Sequence, residues 1–403
     1  MIAPLDGLTV IDVTEGIAGP QCTKHLGDAG ALVVKVEPLD GDIARTWGPP
    51  FVGNDSALFV ELNRDKQGVA LNIEGKVGRD VLLELVRSAD VFIHDKTPAD
   101  VDKLDVSYER LRSLNPGLVY CSLTAFGEEG PYRNLGASEL IIQAMTDYLR
   151  CLGHLPEAPA RLGLDAAQMN CGVFGFQAIM AALFQRVKSG NGQKVTCSWF
   201  GSLLHMHGLT WAAFNHPDTW GGQHHDLYSD PPRHGYRTKD GEIFFSLGRI
   251  TEEGWDYLCT MLGLQGDVRS DPRFADQGRE TVGVGLYATE LRSMWEKAFE
   301  TKTRADLLQL LHSVGANAVP VNTYEDLSED VQVQAVRMIQ ELEHPAAGRI
   351  RTTGVPWKLS ATPAYITVPA PQLGQHTRQV LERWGYGSSE IDTMAREGSI
   401  AIQ

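Results

Sequence analysis

RLGLDAAQMNCGVFGFQAIMAALFQRVKSGNGQKVTCSW occupies residues 161–199 and predicts a loop, a long buried helix and a strand. The helix is apolar nearly all round between residues 173 and 183, which is typical of a helix in a large core or an interface. Lys188 suits the negative end of the helix dipole, and Gly190 suits the left-handed position that ends a helix. The few polar residues stand at the beginning, where backbone N–H groups can hold an anion.

An alternation of strand and helix patterns fills the chain before this stretch. The β-rich runs lie at residues 8–13, 30–37, 69–73, 90–94 and 117–123. Pro20 suits the first turn of a helix between the first two runs, so these form a parallel βαβ unit. The turn before it is not G-x-G-x-x-G and predicts no dinucleotide site. We therefore expect the α/β class, with a Rossmann-like large domain and a smaller α+β domain.

Changes of composition divide the chain. Residues 1–200 are predicted to be the first part of the large domain, 201–234 a histidine-rich linker, 235–322 the small α+β domain, and 323–403 a return to the large domain with a helical tail. The linker region holds clustered histidines, among them His205, His207, His224 and His225. Their spacing fits no standard zinc pattern, so we expect linker or interface histidines and no metal site.

Composition excludes several classes of protein. The 403 residues carry a formal net charge of -15, which argues against a nucleic-acid partner, although a local basic pocket would still admit an anionic ligand. No apolar run approaches a membrane span, and residues 1–6 do not begin a signal peptide. The six cysteines lack C-x-x-C spacing and indicate reduced thiols. We expect a cytoplasmic protein without a membrane partner.

The stretch 161–199 resembles the catalytic helix of the class III CoA-transferases, the family of formyl-CoA transferase, carnitine CoA-transferase and α-methylacyl-CoA racemase. There the pattern is roughly G-D-x-x-x-G, an apolar helix with A-A-L, then R-x-x-T-G-x-G-Q and a strand. The matching residues are Ala181, Ala182, Leu183, Arg186, Gly190, Gly192 and Gln193.

The resemblance extends in order along nearly the whole chain. Further matches are LDGLTVID at 5–12, AGP at 18–20, KVEP at 35–38, NP at 115–116, PVN at 320–322, HP at 344–345 and LGQHT at 373–377. The family fold is then implied: a large Rossmann-like domain built from both chain ends, a smaller domain from the middle, and two chains interlocked as rings.

At one decisive position the chain departs from the family. The resemblance places the nucleophilic aspartate on Gln168, while Asp165 lies three residues too early. An aspartate of this family attacks an acyl-CoA thioester, and a neutral glutamine amide cannot do so. Three interpretations of the pair stay open: a capping box between Asp165 and Gln168 at the helix start, Asp165 as a displaced nucleophile, and Gln168 as a polar ligand for CoA or acyl groups.

Racemase chemistry is disfavoured by the same comparison. It needs a proton donor and an acceptor on opposite faces of the substrate, and Glu139 alone does not provide both. The resemblance therefore implies CoA transfer between an acyl-CoA, such as succinyl-CoA, and an acceptor carboxylate.

Predicted CoA contacts also follow from the resemblance. They are Gly19, Pro20, Arg45, Lys96 and Lys103, and ordinary solvated lysines are an equal alternative for the last two. CoA or acyl-CoA is expected as a substrate, with no tightly bound cofactor.

Heteromeric members of the family, such as benzylsuccinate CoA-transferase, pair a subunit that keeps the aspartate with one that lacks it. The leading hypothesis is that this chain is the subunit without it, paired with a paralogue that carries it. The alternatives are a self-sufficient homodimer using Asp165 and a catalytically silent acyl-CoA-binding protein.

Overall fold

The computed structural model describes residues 3–149, 160–208, 235–248, 250–273 and 288–403. Contacts divide the chain into two units. A large unit contains residues 1–149, 161–208 and 332–403, and a small unit contains 150–160 and 209–331.

A seven-stranded sheet forms the centre of the large unit. Its strands are β1 (Thr9–Asp12), β2 (Leu32–Glu37), β5 (Lys66–Leu71), β6 (Val91–His94), β7 (Val119–Thr124), β8 (Lys194–Ser198) and β14 (Ile400–Ala401), in the spatial order β14-β5-β2-β1-β6-β7-β8. All neighbours are parallel except β14, which runs antiparallel to β5. The predicted α/β class with a mostly parallel sheet is confirmed.

Helices cover both faces of this sheet. The helices of the large unit are α1 (Ala18–Asp28), α2 (Ala57–Leu62), α3 (Lys76–Arg87), α4 (Pro98–Leu104), α5 (Tyr108–Leu114), α6 (Glu139–Met145), α7 (Ala166–Ser189), α8 (Trp199–His205), α14 (Thr377–Arg383) and α15 (Ser388–Arg396). Successive strand residues point to opposite faces. Val10 and Val33 therefore share a core with α1 and α7, whereas Ile11 and Val34 share one with α3 and α15.

Shorter elements complete the large unit. They are a 3₁₀ turn (Ile43–Thr46) and two hairpins, β3 (Phe51–Val52) with β4 (Asp55–Ser56) and β12 (Ile339–His344) with β13 (Gly348–Thr353). The boundary between the units falls at the start of α13 (Val331–Val336).

The small unit has its own sheet and core. Strands β9 (Tyr236–Arg237), β10 (Glu242–Ser246) and β11 (Asn317–Pro320) form an antiparallel sheet in the order β11-β10-β9. Its helices are α9 (Glu252–Leu262), α10 (Ala288–Phe299), α11 (Arg304–Ser313) and α12 (Tyr324–Glu329), with a π turn at Gln265–Arg269. Phe245, Trp255, Trp295 and Phe299 are buried together in its core.

Several boundaries differ from the sequence-based ones. Helix α8 runs to His205, so the first residues of the linker predicted at 201–234 are helical, and residues 209–234 lie outside the described part of the chain. The small unit continues to residue 331 rather than 322. Strand β5 begins three residues before the predicted run at 69, and β14 is unpredicted. A two-residue strand leaves too little periodicity to detect.

The expectation that no apolar run approaches a membrane span is wrong for α7, which has the length and hydropathy that a span would need. Such a helix also occurs in protein cores, and here it packs closely on its neighbours. A Cβ atom placed on Gly172 would lie 2.6 Å from the Ala18 carbonyl oxygen of α1, and one on Gly175 would lie 2.9 Å from Leu123 of β7. These two glycines explain how α7 fits between α1 and the sheet.

Candidate active site

The beginning of α7 carries the two residues singled out from the sequence. Asp165 stands at the N-cap position, directly before Ala166, and Gln168 lies in the first turn. Gln168 is buried, with 6% of its surface exposed. The sequence therefore places the helix start correctly, at the residue predicted to cap it.

The predicted capping box is wrong, because a residue of another helix caps α7. The Asp165 side chain accepts no capping hydrogen bond. Instead, Glu139 Oε1 accepts from the Ala167 N–H at 2.8 Å, and Glu139 Oε2 accepts from the Gln168 N–H at 3.1 Å. A carboxylate at this position also interacts favourably with the positive end of the helix dipole. Glu139 thus supplies the anion that the helix N-terminus favours.

Gln143 extends this arrangement by one turn of α6. Its Nε2 donates to Glu139 Oε1 at 2.9 Å, and its Oε1 accepts from the Leu162 N–H at 3.1 Å. The same Nε2 lies 3.3 Å from the Leu164 carbonyl oxygen. Glu139 and Gln143 therefore fix both the loop before α7 and its first turn. Sequence reasoning missed Gln143; its spacing of four residues from Glu139 on one helix face was the available signal.

Asp165 lies apart from this buried group. Its Oδ1 accepts from Arg161 at 2.7 Å, and its side chain is 30% exposed. The carboxylate is therefore paired with a cation near the surface. Chemically it remains a carboxylate at the helix start, three residues before the position of the family nucleophile.

The first turn of α1 lies against α7. Gly19 and Pro20 are both buried there. A Cβ on Gly19 would lie 2.0 Å from Thr14 Oγ1, so only glycine fits this close approach. The structure thus brings the predicted Gly19 and Pro20 next to the helix that carries Gln168.

A network of buried charges holds the loop between β1 and α1. Lys35 Nζ donates to Asp42 Oδ2 at 2.8 Å, and Asp42 Oδ1 accepts from the Gly16 N–H at 3.0 Å. Burial alone would raise the pKa of Asp42, but Lys35 and the hydrogen bonds lower it below its usual value. Asp12 is paired with Lys66 in the same layer, and burial lowers the pKa of Lys66 to about 8.

Arg45 belongs to a similar buried network. Its guanidinium donates to both carboxylate oxygens of Glu37, at 2.7 and 2.8 Å, and lies 2.9 Å from Asp55. It also stacks on the Phe59 ring, 3.8 Å from the centroid. Arg45 therefore binds protein groups, and the predicted CoA contact there stays a prediction.

A cleft of about 440 Å³ opens beside the carboxyl ends of β1, β2, β5 and β6, and we name it the carboxyl-end cleft. Ligands of open α/β sheets bind in such positions. Lys96 and Lys103 line it, as do the carboxylates of Glu15, Asp40, Glu74 and Asp100. The structure thus brings the two predicted lysines together in one concave site.

Both lysines of the cleft already have acidic partners. Lys96 Nζ lies 2.7 Å from Glu15 and 3.2 Å from Asp95, and Lys103 Nζ lies 3.3 Å from Glu74. Burial would lower the pKa of Lys96, but these two carboxylates raise it above its usual value. Sequence reasoning missed Glu15 and Glu74, because the loops that bring them to the lysines are distant in sequence, whereas Asp95 directly precedes Lys96.

The remaining candidates give no reactive group in the described ranges. Burial raises the pKa of the Cys171 thiol, so it stays protonated at neutral pH. His207 Nε2 bonds to the Thr146 carbonyl oxygen at 2.6 Å, and His205 contacts the Phe174 ring. Within the described residues, no group of three or more metal-ligating side chains is placed to hold an ion. His224 and His225 lie outside those residues.

Comparisons with known proteins point to one family. A family model described as CoA-transferase family III matches residues 5–377. The chain is 30% identical to a mouse succinyl-CoA:glutarate CoA-transferase, covering 98% of this chain and 90% of the relative. It is also 30% identical to a succinate–glutarate CoA-transferase of Agrobacterium fabrum, covering 98% and 97%.

A formyl-CoA:oxalate CoA-transferase of Streptomyces avermitilis is 27% identical, covering 99% of this chain and 100% of the relative. Among solved structures, a CaiB/BaiF family protein from Brucella suis is similar, with a TM-score of 0.84 and 27% identity. That alignment covers 95% of this chain and all of the other.

Proposed function

Because the chain belongs to CoA-transferase family III, it is a transferase that acts in acyl-CoA metabolism, and we propose that it is the subunit without the nucleophile. In this proposal a paralogous partner carries the catalytic aspartate. The complex moves CoA from a donor such as succinyl-CoA to an acceptor carboxylate. Relatives named for succinyl-CoA and for dicarboxylates support this reaction class.

The main support for the proposal is the residue at position 168. An aspartate there would attack the thioester and later hold CoA as an enzyme thioester. The Gln168 amide is neutral and its nitrogen lone pair is delocalised, so it does neither. Glu139 accepts hydrogen bonds from the Ala167 and Gln168 N–H groups, so both of its carboxylate oxygens are engaged by the first turn of α7. The first turn therefore supplies no free nucleophile.

The proposed partner is a second chain threaded through this one as an interlocked ring. Two apolar side chains on the last turns of α7 support an interface, because Phe184 is 65% exposed and Val187 is 84% exposed. Phe184 and Val187 lie one turn apart on α7, so their side chains form one apolar surface, where we place the contact between the chains. In the proposed assembly this chain supports the fold and shapes the pocket, CoA is a substrate rather than a bound cofactor, and the complex is cytoplasmic.

A second candidate is a self-sufficient homodimer that uses Asp165. The partial exposure of this carboxylate at the start of α7 favours it. Its ion pair with Arg161 counts against it, because an attacking carboxylate would first have to leave its cation.

The test is to find which chain forms the covalent intermediate. The tagged chain is purified from its native source, incubated with succinyl-CoA, treated with borohydride and analysed by intact mass. Borohydride reduces an enzyme–CoA thioester and leaves a permanent mark on the chain that formed it. We expect the mark on a co-purifying paralogue with an intact G-D-x-x-x-G motif, and none on this chain.

A mark on this chain would overturn the proposal. If Asp165→Asn then abolished it, the homodimeric alternative would replace the proposal. Absence of both a paralogue and any mark would instead support a silent acyl-CoA-binding protein.

A further inference from the structure

We propose that the carboxyl-end cleft of this chain excludes nucleotide phosphates, with Glu15 as the residue that determines this specificity. The inference rests on the proposed function and deepens it: the chain would lack a CoA site as well as a nucleophile. The ion pairs within the cleft and the excess of negative charge on its wall support this inference.

Lys96 is the more buried cation of the cleft. Its side chain is 21% exposed, and those of its partners Glu15 and Asp95 are 28% and 16% exposed. Breaking such a pair leaves an uncompensated charge in a partly buried place, which is strongly unfavourable. Lys96 therefore cannot turn towards a phosphate without leaving two carboxylates behind.

Glu15 is itself fixed by a second contact. Its backbone N–H donates to Asp95 Oδ2 at 2.7 Å, while its side chain binds Lys96. Glu15, Asp95 and Lys96 thus form a closed ring that joins the loop after β1 to the loop after β6. The Glu15 carboxylate is held on the cleft wall by this ring.

Lys103 does not replace Lys96 as a positive charge that could bind a phosphate. Its pair with Glu74 is open to solvent, with side chains 66% and 73% exposed, and solvent screening makes such a pair weak. Lys103 can therefore swing away from Glu74. A phosphate would still meet four lining carboxylates and only two lysines, so the field of the cleft repels it.

Charge, rather than size, would exclude the nucleotide. The volume of about 440 Å³ is within the range of small-molecule sites. Apolar side chains such as Leu39, Ile73 and Leu104 line part of the wall and would admit an uncharged ring. Removing negative charge should therefore open the same cavity to CoA.

The experiment is calorimetric titration of the full chain, expressed alone, with CoA at low salt. We expect the wild-type chain to show no saturable binding below about 1 mM. Glu15→Gln should bind at least about tenfold more tightly, because one charge is removed next to Lys96.

Two further variants complete the design. Asp40→Asn removes an exposed charge of the cleft without touching the ring, and should tighten binding even if Glu15→Gln folds poorly. Glu84→Gln is the matched control: it removes the same charge from an exposed pair with Arg87 outside the cleft, and should leave CoA binding unchanged.

Two results would overturn the inference. One is saturable CoA binding by the wild-type chain below about 1 mM that Lys96→Ala weakens. The other is a failure of both Glu15→Gln and Asp40→Asn to tighten binding. CoA binding by a chain that gives no borohydride mark would leave the proposed function standing. A mark from succinyl-CoA on this chain would overturn the proposed function itself.

Discussion

Glu139, a residue of α6, holds the first turn of α7 with both of its carboxylate oxygens. The pattern of Asp165 and Gln168 correctly located the beginning of α7, because local spacing governs where a helix starts. The same pattern named the wrong capping group. The true cap lies 29 residues before Gln168, and no local rule connects positions that only the fold brings together.

Glu139→Gln should lower the free energy of unfolding by about 1–3 kcal/mol. The variant loses a buried charge that accepts two hydrogen bonds from the first turn of α7, and an amide cannot accept on both sides. Urea denaturation followed by circular dichroism measures the change.

Asp165→Asn is the matched control for Glu139→Gln. It disturbs only the partly exposed pair with Arg161 and should cost less than about 1 kcal/mol. A larger loss from Asp165→Asn than from Glu139→Gln would mean that Asp165 caps the helix in solution.

At the scale of elements, hydrophobic pattern was a reliable guide for the large unit. Five β-rich runs and the strand after Gly190 all occur in the sheet, because strands buried on both faces read as near-continuous apolar runs. The close contact of α7 with α1 was not predictable. A Cβ on Gly172 would meet the Ala18 carbonyl oxygen, and no pattern within α7 indicates that contact.

Gly172→Ala should destabilise the large unit by about 1–3 kcal/mol, because its added methyl group would overlap the backbone of α1. Gly136→Ala is a suitable comparison, since nothing lies within 4 Å of a Cβ there. Thermal unfolding of the two variants measures the difference. Equal melting temperatures would show that α1 and α7 are further apart than described.

At the scale of the whole molecule, the sequence indicated the family and the sheet but not the charge balance of its cleft. Lys96 and Lys103 were identified from the resemblance. Glu15 and Glu74 come from the loops after β1 and β5, which the parallel sheet brings to the same edge. A site that depends on partners from several loops is only partly visible in a linear pattern.

His94 should make the stability of the protein depend on pH. Burial lowers its pKa to about 3, from an ordinary value of 6.5. Between these values the unfolded chain binds a proton that the folded chain does not, so the unfolding free energy falls as pH falls. The expected contribution is about 1 kcal/mol per pH unit from pH 6.5 downwards.

His94→Gln removes this contribution. It also loses contacts with Phe92 and Tyr120, but that cost is independent of pH. Urea denaturation between pH 7 and 5 should therefore give a steeper slope for the wild-type protein than for the variant. Parallel curves would contradict the prediction.

The pairing of β14 with β5 has a consequence for synthesis of the protein. Strand β5 ends at Leu71, and its neighbour contributes Ile400, so the ribosome makes more than 300 further residues before this edge can close. At ordinary rates of translation that takes roughly 15–65 s. During that time β5 presents an unpaired edge to other nascent chains. We therefore expect the newly made polypeptide to need chaperones, or early contact with its proposed partner, while this edge is open.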